Sequence, residues 1–219
     1  MENRDHDPPF DKTIHLLSPL IDDNSSAKIK ELREMLLPLK LYHDYRNWCT
    51  DQQLQRFLIA RQYEVKSSYD LMVAALNWRN CRVPPQGIES LPNWETKMSH
   101  ESETGKIYVP GKDKYGRPVI VFDNSVQNTT SIDDQLSFVS FNFEYACRMM
   151  EPKVDKYVVF MNLEIFSLFN CPPMKSTKEV IFMLCSGYPE RLGHCIAYKP
   201  PSIFKVVFNI RNCGILFDE

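Results

Sequence analysis

The amino-acid sequence predicts an α/β protein in which a small amino-terminal helical bundle precedes a mainly parallel sheet flanked by helices. Within residues 27–83, apolar residues recur at three- and four-residue steps, which is typical of short amphipathic helices. From residue 106 onward, short apolar runs of strand length alternate with longer helical patterns, and this order favours a parallel sheet. The 219 residues suffice for one sizeable core.

The first predicted helix follows a polar, flexible lead-in over residues 1–26. It spans Ala27–Tyr42, and Pro38 should end or kink it near Leu37 because proline lacks a backbone N–H. Its apolar residues lie on one face; they are Ile29, Leu32, Leu36 and Leu39.

Two more helices complete the predicted bundle. Thr50 or Asp51 is the expected N-cap of the second helix, and Ser67 or Ser68 is expected to open the third. The second helix aligns Leu54, Phe57, Leu58 and Arg61 on one face. The third aligns Leu71, Ala74, Ala75 and Trp78.

The sheet is predicted to begin with a hairpin. The runs Lys106–Val109 and Pro118–Phe122 flank the turn Asp113–Gly116, where glycine supplies the positive φ that such turns need. Pro118 cannot donate a ladder hydrogen bond, so we expect it at a strand start or a sheet edge. The elements expected after the hairpin are a helix Ser131–Met150, a strand Tyr157–Leu163, a helix Met174–Tyr188, a strand His194–Tyr198 and a helix Ile203–Ile210. The face of Met174–Tyr188 expected to point inward comprises Val180, Ile181, Leu184 and Cys185.

Composition excludes several classes of protein. The net charge is −2, whereas a nucleic-acid-binding domain shows a basic excess or stripe, so we expect no nucleic-acid partner. Seven scattered cysteines without a C-x-x-C pair predict reduced cytosolic thiols, not a disulfide framework or a zinc site. Residues 1–10 are too polar for a signal peptide, and no run of about 18 apolar residues could span a membrane.

The sequence contains none of the common catalytic motifs. There is no G-x-S-x-G elbow, no P-loop and no G-x-G-x-x-G, and the five histidines show no metal-ligand spacing. His194-Cys195 is similar to a cysteine phosphatase loop, but Pro201 stands where that chemistry needs an arginine. We therefore expect no enzyme, no catalytic residue, no metal and no cofactor.

Four motifs, in this order and spacing, carry a family resemblance. They are Leu54–Tyr63 (L-Q-R-F-L-I-A-R-Q-Y), Trp78-Arg79, Asp113–Val119 (D-K-Y-G-R-P-V) and Tyr188–Gly193 (Y-P-E-R-L-G). With them, the chain from about Thr50 to its end resembles the CRAL-TRIO (Sec14-like) family of hydrophobic-ligand carriers. The resemblance implies an amino-terminal helical part over 27–83 and a lipid-binding domain over 100–219, truncated at the carboxyl terminus.

The resemblance also implies a function and a set of residues. We expect a cytoplasmic monomer that binds one hydrophobic molecule, a phospholipid or other lipid, and transfers or presents it at membrane surfaces that it visits transiently. The candidate lipid-binding residues are Ser167, Glu190, Phe166, Phe169, Phe143 and Tyr145. The candidate gate residues are Phe204, Val207 and Phe208, and Arg61 is a candidate phosphate contact.

Plainer interpretations of these residues stay open at this point. Aromatic residues at helical spacing also fill cores, and the same residue types line apolar pockets. Glu190 could instead form a local ion pair or cap a helix, and Arg61 could be a solvated helix residue. The gate residues could simply belong to a buried helix.

Several departures from the family pattern favour an alternative, an interaction or regulatory module that keeps the fold without transferring lipid. Gln62 replaces a basic residue, Phe169 replaces a hydroxyl residue, and Ile165 replaces a loop glycine. A lysine expected on a later strand is absent, since the sequence ends at Glu219. We also expect the sheet to lack the strand that normally follows the last helix, which would leave an unpaired edge.

Overall fold

The computed structural model describes residues 21–165, 174–200 and 215–218. Its helices are α1 (Asp23–Leu36), α2 (Lys40–Asp44), α3 (Asp51–Ile59), α4 (Val65–Arg82), α5 (Trp94–Ser102), α6 (Ile132–Met149) and α7 (Met174–Phe182). Its strands are β1 (Ile107–Lys112), β2 (Pro118–Asp123), β3 (Tyr157–Asn162), β4 (Leu192–Tyr198) and β5 (Ile215–Asp218). The α/β class expected from the sequence is confirmed.

Local sequence signals set most ends of the first helices. α1 stops at Leu36, two residues before Pro38, as predicted. The predicted N-cap at Thr50 is also confirmed, because its hydroxyl oxygen accepts a hydrogen bond from Gln53 N at 3.2 Å. α1, α3 and α4 pack around a shared apolar core whose fully buried members include Leu32, Leu36, Leu54, Phe57, Leu58, Met72 and Leu76.

The predicted start of α4 at Ser67 or Ser68 is wrong. The helix begins at Val65, since the carboxylate of Glu64 accepts hydrogen bonds from the backbone N–H groups of Lys66 and Ser67. An acidic residue therefore takes the capping role that serine was expected to fill. The hydroxyl of Ser68 instead donates to Glu64 O at 2.7 Å, inside the first turn.

The sheet has the order β1-β2-β3-β4-β5, with β1 antiparallel to β2 and the other pairs parallel. Pro118 is the first residue of β2, which confirms the predicted strand start. Ser131 caps α6, and this helix packs against one face of the sheet, which we call the helix face. The buried sheet residues of the helix face are Ile120, Tyr157, Val159 and Cys195.

Two further predictions are wrong. The strand expected to be missing is present, because β5 (Ile215–Asp218) pairs with β4. The inward face predicted for Met174–Tyr188 is also shifted: Ile181 and Cys185 are exposed, and Met183 is buried instead. A π-helix, Met183–Gly187, continues α7. Val180 and Leu184 pack against the helix-face core as predicted, together with Met183; this spacing is α-helical, so the buried face is centred away from Ile181 and Cys185.

Candidate functional site

The sheet carries an apolar surface on the side away from α6, which we call the second face. Side chains alternate along a strand, so the residues between those of the helix face point to this side. They are Val119, Val121, Val158, Phe160, Ile196 and Tyr198. Val158 is buried and the other five are half-buried. The rings of Phe160 and Tyr198 stack with centroids 6.1 Å apart.

Polar groups gather where the parallel strands of this surface end. Asn162 Nδ2 donates to Asp123 Oδ1 at 3.3 Å, which joins the ends of β2 and β3. Just beyond the ends of β3 and β4, Lys199 forms an exposed ion pair with Glu164. In open α/β sheets, ligands bind at the carboxyl ends of the strands. The second face thus combines an apolar surface with polar groups at the carboxyl ends of its strands, where ligands usually bind.

Six of the predicted site residues lie outside the described residues. They are Phe166, Ser167, Phe169, Phe204, Val207 and Phe208. The described chain leaves β3 through Leu163 and stops at Ile165, whose side chain is 54% exposed. The rest of the predicted ligand loop lies outside the described residues. The roles proposed for these six residues stay predictions.

Phe143 and Tyr145, both predicted lipid contacts, occupy different environments on α6. Phe143 is fully buried on the helix face, edge-on to Tyr157 at 5.1 Å and 5.5 Å from the ring of Tyr188. Tyr145 is 44% exposed and stacks on Phe141. The structure does not bring these two side chains together on one surface, and their ligand role stays a prediction.

Glu190 lies just before β4 in an unusual backbone conformation. Its φ of +59° is in the left-handed region, which is uncommon for a residue other than glycine. Lys156 holds it in two ways, donating to the Glu190 carbonyl and pairing with its carboxylate at 3.5 Å. Such strain often marks functional positions. Arg61 lies beyond the end of α3 with an exposed side chain, and its guanidinium donates to Ala60 O at 2.9 Å.

A polar cluster at the junction of the bundle and the sheet was missed in the sequence. Arg79 Nη2 lies 3.0 Å from Glu144 Oε1, and the same oxygen accepts a hydrogen bond from the hydroxyl of Tyr188. Burial opposes the charge on Arg79, but Glu144 outweighs it and raises the pKa of the guanidinium. Burial, then the Glu144 charge, raises the pKa of Tyr188 well above its ordinary value.

Two more arginines extend this cluster, and both lie next to the carboxylate of Asp155. Arg56 Nε lies 3.4 Å from Asp155 Oδ2, and Arg191 Nη1 lies 3.8 Å from Asp155 Oδ1. Arginines are mostly exposed in proteins, so nothing in residue type alone predicts this burial. The available signal was position, since Arg56 lies between Leu54 and Phe57 on a helix with a predicted apolar face.

Across residues 21–165, 174–200 and 215–218, no group of histidine, cysteine and acidic side chains is arranged to hold a metal ion. Within the same ranges, no helix combines the length and the apolar character needed to cross a bilayer.

Comparison with known proteins gives consistent matches. Residues 102–213 match the family model described as CRAL/TRIO domain. The chain is 30% identical over 156 residues to a CRAL-TRIO domain-containing protein of Schizosaccharomyces pombe. It is 25% identical over 160 residues to phosphatidylinositol transfer protein PDR17 of Saccharomyces cerevisiae. These alignments cover 71% and 70% of this chain, but 15% and 46% of the two relatives.

A solved structure also shares the fold. The crystal structure of Sfh5 superposes with a TM-score of 0.63 at 12% identity, covering 91% of this chain and 81% of that chain. This likeness concerns the course of the backbone, because the two sequences differ at most positions.

Proposed function

The chain belongs to the CRAL/TRIO domain family, and from that premise we propose that it binds one hydrophobic molecule, a phospholipid or other lipid, over the second face of its sheet. It then transfers or presents this molecule at cytosolic membrane surfaces, where it associates transiently. The similarity to the Saccharomyces cerevisiae phosphatidylinositol transfer protein supports a phospholipid as the ligand class. The proposed activity of the protein is ligand binding, not catalysis.

The observation that carries this proposal is the second face itself. Three neighbouring parallel strands contribute valine, isoleucine and aromatic side chains, and five of the six are half-buried. Covering such a surface with an acyl chain is favourable by about 0.8 kcal/mol for each CH₂ group buried, before the costs of association. Polar groups at the carboxyl ends of the strands, with Ser167 as a residue implied by the family, would orient the head of the lipid. Glu190, the other residue implied by the family, precedes β4 at the opposite end of the parallel strands, and its ligand role stays a prediction.

A substitution that fills the space over this surface tests the proposal. In Ile196→Trp, a larger apolar side chain occupies the place of the ligand while the strand keeps a residue with good β propensity. We expect the purified variant to fold but to carry much less co-purified lipid, measured by mass spectrometry of a solvent extract. Ile181→Trp, the same change at an exposed position of α7 on the helix-face side of the sheet, is the matched control and should retain the lipid. Equal lipid content in the two variants would refute a ligand on the second face.

The second candidate function is a non-transferring interaction module. The packing of Phe143 against Tyr157 and Tyr188 favours it, because this predicted pocket wall serves as core. Two clefts among the described residues hold about 250 and 210 Å³, below the roughly 300–1,000 Å³ usual for ligand pockets. A folded protein that carries no lipid and moves none between vesicles would select this candidate.

A further inference from the structure

The larger of these two clefts lies at the junction between the bundle and α6, and we call it the junction cleft. It has a volume of about 250 Å³, and its walls include Trp48, Thr50, Gln52, Arg56, Glu144 and Arg191. Glu144 belongs to α6, which covers the helix face, so the cleft is separate from the second face. The volume is several times the roughly 30 Å³ that one water molecule occupies in the liquid.

The charges around the junction cleft do not balance. Three arginines (Arg56, Arg79 and Arg191) meet two carboxylates (Glu144 and Asp155), which leaves one positive charge in excess. Arg56 is only 5% exposed, and Arg79 only 3%. Burial, then repulsion from Arg191, lowers the pKa of Arg56. A buried cluster with an uncompensated charge is stabilised by an anion.

Arg56, one of the two arginines that line the cleft, is too far from its carboxylate partner Asp155 for a strong hydrogen bond. The 3.4 Å between Arg56 Nε and Asp155 Oδ2 exceeds the roughly 2.7–2.9 Å of a strong charge-assisted hydrogen bond. Among the described residues, Arg56 Nε and both Asp155 carboxylate oxygens have no hydrogen-bond partner. Arg56 Nη1 donates to Gln53 Oε1 at 3.0 Å, so Nε is a donor of this buried wall residue that the ion pair leaves without a hydrogen bond.

The start of α3 adds a second favourable feature at the same place. Thr50 is the N-cap and Gln52 belongs to the first turn, so the cleft adjoins the positive end of the helix dipole. Amino termini of helices bind phosphate and sulfate groups through this dipole and their backbone N–H groups. α3 has nine residues (Asp51–Ile59), which is long enough for the peptide dipoles to add up along the helix.

We propose that the junction cleft binds a phosphate group. Arg56 and Arg191 supply the positive charge, and the first turn of α3 with the side chain of Gln52 supplies further donors. Arginine suits this role because its planar guanidinium offers paired donors to phosphate oxygens. The site is distinct from the acyl-chain surface of the proposed function. Its phosphate comes from either a soluble phosphorylated molecule or a phospholipid headgroup.

Calorimetric titration of the full chain with inorganic phosphate at constant ionic strength tests the site. We expect saturable binding at one site per chain. Gln52→Glu places a negative charge at the cleft and should weaken binding about tenfold or more. The same change favours the helix dipole, so the fold is preserved, which circular dichroism can check. Asn24→Asp, the same kind of change in the first turn of α1, is the matched control and should leave affinity within about twofold.

The outcomes that would overturn the proposal are equally concrete. They are the absence of saturable phosphate binding, or an equal loss of affinity in the Gln52 and Asn24 variants. Competition by glycerophosphoinositol supports a headgroup as the source, whereas phosphate binding without such competition supports a soluble ligand. Ile196→Trp, whose changed residue lies on the second face and not at the cleft, should bind inorganic phosphate with unchanged affinity, so failure of this site and failure of lipid binding give different results.

Discussion

At the scale of single residues, the contact between α4 and the π-helix depends on one close approach. The ring of Trp78 lies over Gly187, and a Cβ built at Gly187 would be 3.0 Å from Trp78 Cζ3. The same ring packs edge-on against Tyr188, with centroids 5.7 Å apart. Any side chain at position 187 would therefore force the indole of Trp78 to move.

Adding one methyl group at this contact should destabilise the fold. For Gly187→Ala we expect a loss of about 1–3 kcal/mol in the free energy of unfolding, measured in urea, because the indole has to shift in a packed core. Trp78→Leu combined with Gly187→Ala should lose less than the sum of the two single changes. Strict additivity of the two losses would contradict the contact.

Burial should also control the reactivity of the cysteines. Desolvation raises the pKa of Cys49, inside the bundle core, to about 12. Cys81 on α4 is exposed. With iodoacetamide at pH 8, peptide mass spectrometry should show Cys81 alkylated and Cys49 unmodified in the folded protein, since the thiolate is the reactive form. Similar rates at both positions would mean that the bundle opens readily or is packed differently.

The contacts of single residues differ in how well the sequence predicts them. The cap at Thr50 depends on three neighbouring residues, so a local pattern predicts it. The buried arginines depend on partners far away in sequence: Arg79 and Glu144 are 65 positions apart. No local pattern carries that information, which is why the junction cleft was not foreseen.

At the scale of elements, helix and strand positions follow from periodicity, but orientation within an element does not always. The predicted Met174–Tyr188 corresponds to α7 with its π-helix, yet the inward residues differ. Val180 and Leu184 pack inward as predicted, whereas their neighbours Ile181 and Cys185 are exposed. All four are hydrophobic residue types, so residue type does not show which of them lie at the edge of the buried face. The hairpin was predictable because Asp113 and Gly116 form a turn from adjacent residues.

The hairpin turn should contribute stability that depends on pH. Burial acts to raise the pKa of Asp113, but hydrogen bonds from Arg117 and from the Tyr115 backbone outweigh it and lower the pKa. The contribution is thus present above the unfolded pKa of about 3.9 and is lost as pH falls through the lower folded value. Asp113→Asn should lower the free energy of unfolding at pH 7 by about 1–2 kcal/mol.

Denaturation of this variant across pH provides the check. The difference between the unmodified chain and Asp113→Asn should shrink as the pH is lowered below about 4. Asp44→Asn, at the exposed end of α2, is the control and should change stability little at any pH. A difference for Asp113→Asn that stays constant down to pH 2 would contradict the proposed interaction.

At the scale of the whole molecule, the sheet order follows from the alternation of strands and helices, except at its far edge. β5 comes from the last residues of the sequence and pairs with β4, although a comparison of motif positions predicted an edge without it. Strand pairing depends on residues that are distant in sequence, so counting elements from one end misjudges it. The sheet therefore has five strands in the described residues, with β5 at its far edge.

The central claim is that this chain holds one lipid, and native mass spectrometry of the purified protein tests it most directly. We expect a folded species that is heavier than the bare chain by the mass of a single lipid. The lipid should dissociate on denaturation. We also expect that delipidated protein regains that mass after incubation with phospholipid vesicles. A folded chain that carries no added mass, and acquires none from vesicles, would contradict the account.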